Sequence, residues 1–169
     1  MLVRIENPSD IDAIRLLNYS VFKDHPHHEP GAEPTEHLIV DRLRDENGLT
    51  LSLVSEDKSL IVGHIAVSPV VIGKKSNDWF GLGPVAVLPS EQNKGIGSKL
   101  VQAAIEELRQ RKAEGIVVMG EPDFYGRFGF KQSESITYPG IPSEYFMVLL
   151  FKNAVASGHV SYHPAFSEN

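Results

Sequence analysis

Cysteine is absent from this 169-residue chain, which excludes disulfides, thiolate metal sites and a cysteine nucleophile. No apolar run approaches the roughly 20 residues that a membrane-spanning helix needs. The start Met1-Leu2-Val3-Arg4-Ile5-Glu6 has no long apolar stretch behind a basic one, so the expected location is the cytoplasm. Positive charge is scarce too: 16 Lys and Arg face 22 Asp and Glu, a net charge of −6. Neither nucleic acid nor an anionic membrane is therefore an expected partner, because both require clustered cations. Repeats, low-complexity tracts and linkers are also missing. With 41% hydrophobic and 22% charged residues, the composition is that of an ordinary globular chain. One domain is expected over 1–169, with its core over about 2–151 and the tail 152–169 docked through Tyr162 and Phe166.

What is present begins with a short alternating strand at residues 2–6. Pro8-Ser9-Asp10 then offers capping oxygens to a helix carrying Ile11, Ile14, Leu17 and Val21. His25-Pro26-His27-His28-Glu29-Pro30-Gly31-Ala32-Glu33-Pro34 reads as a loop, and Thr35 opens a second helix through about Arg44. The histidines there lack the spacing on a regular element that a metal site uses, so no metal is expected. Leu49–Val54 and Leu60–Val71 read as antiparallel strands joined at Glu56-Asp57-Lys58-Ser59, and Trp79–Leu88 as the next strand.

The most informative segment runs from that strand through Gln92-Asn93-Lys94-Gly95-Ile96-Gly97 into a helix with Leu100, Val101, Ala104, Ile105 and Leu108 on one stripe. Glycines at 95 and 97 let the backbone turn tightly and bring its amides close to a ligand. The helix start adds unpaired N–H groups and a positive dipole end, which together suit a diphosphate. Ile116-Val117-Val118-Met119 follows as a strand parallel to Trp79–Leu88. Pro122–Arg127 forms a short helix that stops at Gly129, with further apolar strands at Phe130 and Tyr145–Phe151. Two other glycine patterns are set aside. Gly81-Leu82-Gly83-Pro84-Val85-Ala86 lies inside a strand and does not turn into a helix, and Gly95–Lys99 lacks the residue order of a nucleoside-triphosphate loop.

Two motifs carry a resemblance. Gly83-Pro84-Val85-Ala86-Val87 leading to Gln92–Gly97, followed by Phe124-Tyr125-Gly126-Arg127-Phe128-Gly129-Phe130, resembles the GCN5-related N-acetyltransferase (GNAT) family, in its bacterial predicted N-acetyltransferase group. The resemblance implies a mixed, mostly antiparallel α/β (α+β) sheet flanked by helices, built around a strand-turn-helix-strand coenzyme-binding unit. It implies acetyl-CoA as co-substrate, with its pyrophosphate on the backbone from Asn93 to Gly97. Val85, Ala86 and Val87 would then lie along its pantetheine arm, and Gln92, Ser98 and Phe124 around it. It also implies Tyr125 near the thioester as general acid, a main-chain amide near Val87 for the oxyanion, and an N-acetyltransferase acting on a small-molecule or protein amine. Lys94, Lys99 and Arg127 are the cations available to the phosphates. The family's strand glutamate has no counterpart, since Trp79–Leu88 contains no acid. The general base is left among His64, Glu29, Asp78 and a backbone-held water. That gap admits an alternative, a non-catalytic acyl-CoA binding or sensing module. A homodimer through the late strands is also admitted.

Overall fold

The computed structural model describes residues 1–23, 31–74, 78–151 and 156–167. Its strands are β1 (Leu2–Ile5), β2 (Leu51–Asp57), β3 (Leu60–Pro69), β4 (Val71–Ile72), β5 (Trp79–Val87), β6 (Gly115–Met119), β7 (Ile136–Thr137), β8 (Phe146–Leu150) and β9 (Gly158–Ser161). The helices are α1 (Ile11–Phe22), α2 (Glu36–Asp45), α3 (Ile96–Gln110) and α4 (Pro122–Tyr125). Six strands form one sheet in the order β1-β2-β3-β5-β6-β8. Every neighbouring pair in it is antiparallel except β5 with β6, which α3 joins as a crossover. This mixed, mostly antiparallel sheet with flanking helices is the architecture the sequence implied.

The period-2 alternation of the strands sends neighbouring side chains to opposite layers. On β2 and β3, Leu53 and Ile65 join Leu100, Val101, Ala104 and Leu108 of α3, while Val54 and Ala66 join Ile14 of α1 and Val40 of α2. At ~25 cal/mol per Å² of apolar surface, removing one such Leu or Ile side chain from water stabilises the fold by about 1.5–3 kcal/mol.

The structure adjusts several sequence expectations. The β2–β3 turn is shorter than the four residues predicted: β2 continues through Asp57, and only Lys58 and Ser59 turn, with φ of 51° and 68°. That is the left-handed pair a tight hairpin uses to match strand twist. No strand forms at Phe130. Gly129 has φ 97°, Lys131 makes a single bridge to Val148, and Ser133 Oγ accepts from the amide of Ile136 at 3.1 Å, so the chain turns away instead of extending. The run predicted as one strand to Val71 is divided into β3 and β4 by Val70, whose amide donates to the Trp79 carbonyl at 3.1 Å.

A second, three-stranded sheet, β4-β9-β7, had no counterpart in the sequence reading. Its members of two and four residues are too short to display a period. It carries the tail: Tyr162 meets Tyr138 edge-on at 5.4 Å between ring centres and lies 5.3 Å from Phe166.

Candidate active site

Strands β5 and β6 pair only from Trp79 with Gly115 to Leu82 with Val118. Beyond that point β5 stays on β3, through Val85 with Ile65, Ala86 with His64 and Val87 with Gly63. Its other edge therefore opens at Gly83-Pro84, where the peptide bond is cis and Gly83 has φ 134°. This parting leaves the backbone of Val85, Ala86 and Val87 without a strand on the β6 side. Two clefts border it.

The first, of about 490 Å³, is lined by Val87, Glu91, Gln92, Asn93, Gly95, Ile96, Gly97, Ser98, Phe124 and Arg127. Its floor is backbone. Asn93 and Gly95 have φ of 65° and 83°, so the turn curls its amides inward as an anion-binding concavity does. The first hydrogen bond of α3 runs from Lys99 N to Gly95 O at 3.1 Å, and no side chain caps the helix start. The amides of Ile96, Gly97 and Ser98 therefore precede the helical ladder and present its positive end to the cleft. A Cβ on Gly97 would meet Phe124 Cζ at 3.7 Å and Val87 Cγ2 at 3.9 Å, so the fold itself tolerates alanine there and the open space belongs to the cleft.

Side chains divide unequally around this turn. Gln92 Nε2 donates to the Val87 carbonyl at 3.1 Å, tying the turn to the end of β5. Lys94 is exposed and pairs with the cleft-lining Glu91 at 3.1 Å, but does not itself line the cleft. Arg127 does line it, with its guanidinium 4.8 Å from the centre of the Phe124 ring and its Nε 3.3 Å from the Phe124 carbonyl. It makes no ion pair with a carboxylate among the described residues. The cation that faces this cleft is thus Arg127.

The second cleft, of about 510 Å³, shares Phe124 with the first and lies against Leu82, Gly83, Pro84 and Val85. Tyr125 stands in its wall. The tyrosine is held by its neighbours: Phe124 and Phe130 meet it edge-on at 4.9 and 5.9 Å between ring centres. Gly120 forms its platform, because a Cβ there would stand 2.4 Å from Tyr125 Cε2. Burial raises the Tyr125 phenol from its ordinary value near 10 to about 12, so it stays protonated throughout the neutral range.

Two of the base candidates, His64 and Asp78, fall elsewhere. His64 is fully buried in the layer under α1, 2.8 Å from Ser52 Oγ at Nε2 and 3.3 Å from Asn18 Nδ2 at Nδ1. Asn18 Nδ2 also donates to the Ile14 carbonyl at 3.1 Å, which fixes its orientation and makes Nδ1 of His64 the acceptor. His64 Nε2–H then donates to Ser52. Burial, assisted by the Arg44 charge, depresses the imidazole to about 3, so it stays neutral as a core residue. Asp78 precedes the far end of β5, where its carbonyl accepts from Glu114 N at 2.8 Å. At ~3.3 Å rise per residue it stands about 23 Å along the strand from Val85. Glu29 and the histidines at 25, 27 and 28 lie outside the described residues. The second cleft instead holds two acids that were not among the base candidates, Glu36 and Glu121. Glu121 precedes the proline of α4, and a carboxylate beside a Gly-Glu-Pro helix start was the available signal. Among the described residues no group of three or more His, Asp or Glu is arranged to hold a metal ion.

An open strand edge, an amide-rich turn at a helix start and a tyrosine beyond them stand together in the described residues. Residues 12–130 match the family model for the acetyltransferase (GNAT) family. The chain belongs to this family. A solved structure of a GNAT family acetyltransferase from Brucella melitensis in complex with acetyl-CoA is 40% identical, covering 98% of this chain and 97% of that one, with a TM-score of 0.85. The GNAT family N-acetyltransferase YhbS from Escherichia coli, solved in complex with CoA, is 28% identical over 99% of this chain and 92% of its own, with a TM-score of 0.87. At the sequence level, the uncharacterized N-acetyltransferase YhbS of E. coli strain K12 is 29% identical over 174 residues, 99% of each chain. Family, architecture and acyltransferase class thus agree with the sequence reading; the Brucella structure holds acetyl-CoA and the E. coli YhbS structure holds CoA. Among the described residues no helix is long and apolar enough to cross a membrane.

Proposed function

We propose that this chain transfers an acetyl group from acetyl-CoA to a primary amine by direct attack within a ternary complex. The single observation that carries the reading is the pair of clefts meeting at Phe124, one floored by free amides and the other walled by Tyr125. Acetyl-CoA, when bound, supplies an acetyl thioester, whose C–S bond breaks as the amine nitrogen forms its C–N bond. The residues present fit that ligand. The turn from Asn93 to Ser98 offers main-chain donors and a helix dipole to its diphosphate, and Arg127 adds a charge to the same cleft. The unpaired edge of Val85–Val87 offers strand-like hydrogen bonds to the amides of an extended arm, as exposed sheet edges do for peptides. A main-chain amide near Val87 serves the developing oxyanion.

Tyr125 then gives its phenolic proton to the departing thiolate. The buried phenol stays protonated at neutral pH and so is able to serve as the donor. The amine loses one proton as it becomes an amide nitrogen. The acids in that cleft, Glu36 and Glu121, are the carboxylates able to take it directly or through water. With His64 neutral in the core, Asp78 at the far strand end and Glu29 outside the described residues, this pair joins a backbone-held water as the candidate base.

Calorimetric titration with acetyl-CoA, with NAD and ATP as controls, tests the coenzyme assignment. Release of free thiol with an amine panel tests the chemistry. Tyr125→Phe is expected to lower kcat by about 100-fold while leaving the Kd for acetyl-CoA within about threefold. Equal turnover by both forms would remove the general-acid role. Tight coenzyme binding without thiol release from any amine would instead point to an acyl-CoA sensing module.

A further inference from the structure

Tyr125 owes its place to its ring. Its hydroxyl has no hydrogen-bond partner among the described residues, so none of their polar groups fixes where the phenol points. Ring contacts do so instead. Phe124 and Phe130 meet the ring edge-on, and its Cδ2–Cε2 edge lies on Gly120, where the Cβ that would crowd Cε2 would also stand 3.0 Å from Cδ2 and 3.5 Å from Cζ. The backbone itself does not ask for glycine at 120. Gly120 lies outside the left-handed region, unlike Gly129 with φ 97°, so an L side chain is admissible there on conformation alone. Nor is the main chain free to give way. The Gly120 amide donates to the Tyr145 carbonyl at 2.9 Å, directly after the β6–β8 pairing that ends with Met119 opposite Phe146. Glycine at 120 therefore answers to the Tyr125 ring, whereas at Gly97 a Cβ would find its neighbours at ordinary contact distances.

We infer that Gly120 is a positioning residue for acetyl transfer: the side chain it lacks is what lets the Tyr125 phenol reach the departing sulfur. The inference rests on the acetyl-transfer reading above and adds to it a residue that acts through the tyrosine. In the step concerned the C–S bond breaks, sulfur keeps the electron pair and takes the phenolic proton, and the tyrosinate regains a proton from solvent. A methyl group at 120 would drive the ring edge back by about 1 Å before ordinary carbon contact, ~3.5 Å, is restored. The push falls on Cε2, one bond from the carbon that bears the hydroxyl, so the hydroxyl moves with it. A misplacement of that size between reacting groups costs up to about 100-fold in rate.

The deciding experiment is a double-mutant comparison read both by kcat and by Tm. Thiol release from acetyl-CoA is followed with the fastest acceptor from a panel of phenethylamine, spermidine and a lysine-containing peptide. Gly120→Ala is expected to lower kcat by about 10- to 100-fold, while the Kd for acetyl-CoA by calorimetry stays within about threefold. In a Tyr125→Phe background the same substitution should lower kcat by less than about twofold further, because no hydroxyl is left to misplace. Phenylalanine keeps the crowded ring, so the change in Tm caused by Gly120→Ala should be alike in both backgrounds. A merely structural glycine would lower kcat equally in both. That result, wild-type kcat in Gly120→Ala, loss of its acetyl-CoA binding, or a crystal structure of it with the Tyr125 ring unmoved would overturn the inference and leave Tyr125 as the general acid. Unchanged turnover in Tyr125→Phe, or no thiol release with any amine, would remove the general acid itself and this inference with it.

Discussion

The two clefts that meet at Phe124 are built from opposite materials. The amide-lined cleft draws seven of its ten lining residues from one continuous stretch, Glu91–Ser98 without Lys94, and its working surface is main chain. The aromatic cleft draws on α1, α2, the β5 opening, the end of β6, α4 and the tail, and its working surface is side chain. Backbone donors depend on local turn geometry, which two glycines and an asparagine can specify by themselves. Side chains from six places converge only after the whole chain has folded. A coenzyme site of the first kind can persist while an acceptor site of the second kind is rebuilt, which is why family membership reaches the coenzyme long before it reaches the amine.

This contrast can be broken first at Gly97. A glutamate there would put a negative charge and extra volume into the amide cleft. It is expected to raise the Kd for acetyl-CoA by about 100-fold, or ~2.7 kcal/mol, with thermal stability little changed. Gly97→Ala should cost less than about threefold, because the space around it accepts a Cβ at ordinary contact distances. Calorimetry on the pair separates a ligand requirement from a folding requirement. Equal loss in both would mean that the glycine serves the backbone alone.

A smaller effect separates the cations. Arg127→Ala is expected to weaken acetyl-CoA binding about tenfold, with the loss shrinking as salt rises, as for a charge facing phosphate. Lys94→Ala should change it less than about twofold, since its ammonium is solvent-exposed and already paired with Glu91. Reversal of that order would show that Lys94 swings inward when the coenzyme arrives.

The smallest effect on function belongs to His64, whose contribution is to stability. Its folded value lies near 3 against an ordinary 6.5, so between those limits the unfolded chain binds a proton that the folded one refuses. Stability is therefore fully present above about pH 6.5 and declines as pH falls toward 3. The slope approaches ~1.4 kcal/mol per pH unit in the middle of that window. Denaturant midpoints for His64→Gln should be lower at pH 7.5, because the Ser52–His64–Asn18 arrangement is disturbed, but should depend less on pH between 6 and 4. An unchanged pH slope would show that other groups set the acid limb.

Much of the first cleft was legible before any coordinates. Gln92, Gly95 and Gly97 sit at spacings that force a turn into a helix, and Val85–Val87 alternate as a strand must. Tyr125 was legible from its motif, but its platform at Gly120 was not, since the contact joins the end of β6 to α4 across a bend. Lys94 looked like the phosphate cation because it adjoins the glycines, yet neighbours in sequence at a helix start point in different directions. His64 stood among the base candidates within an apolar strand, and only the packing of α1 over that face shows that it is enclosed.

The sequence by itself determined the elements whose signals are local: the periodic strands and helices, the glycine turn into α3, and the absence of thiol chemistry. Tertiary structure decided the rest. It selected Arg127 over Lys94 as the cation in the cleft, enclosed His64, and brought Glu36, Glu121 and Tyr162 to one wall. The physical reason is that backbone hydrogen bonding and hydrophobic period act over a few residues, whereas burial, desolvation and charge complementarity belong to groups that meet only in space.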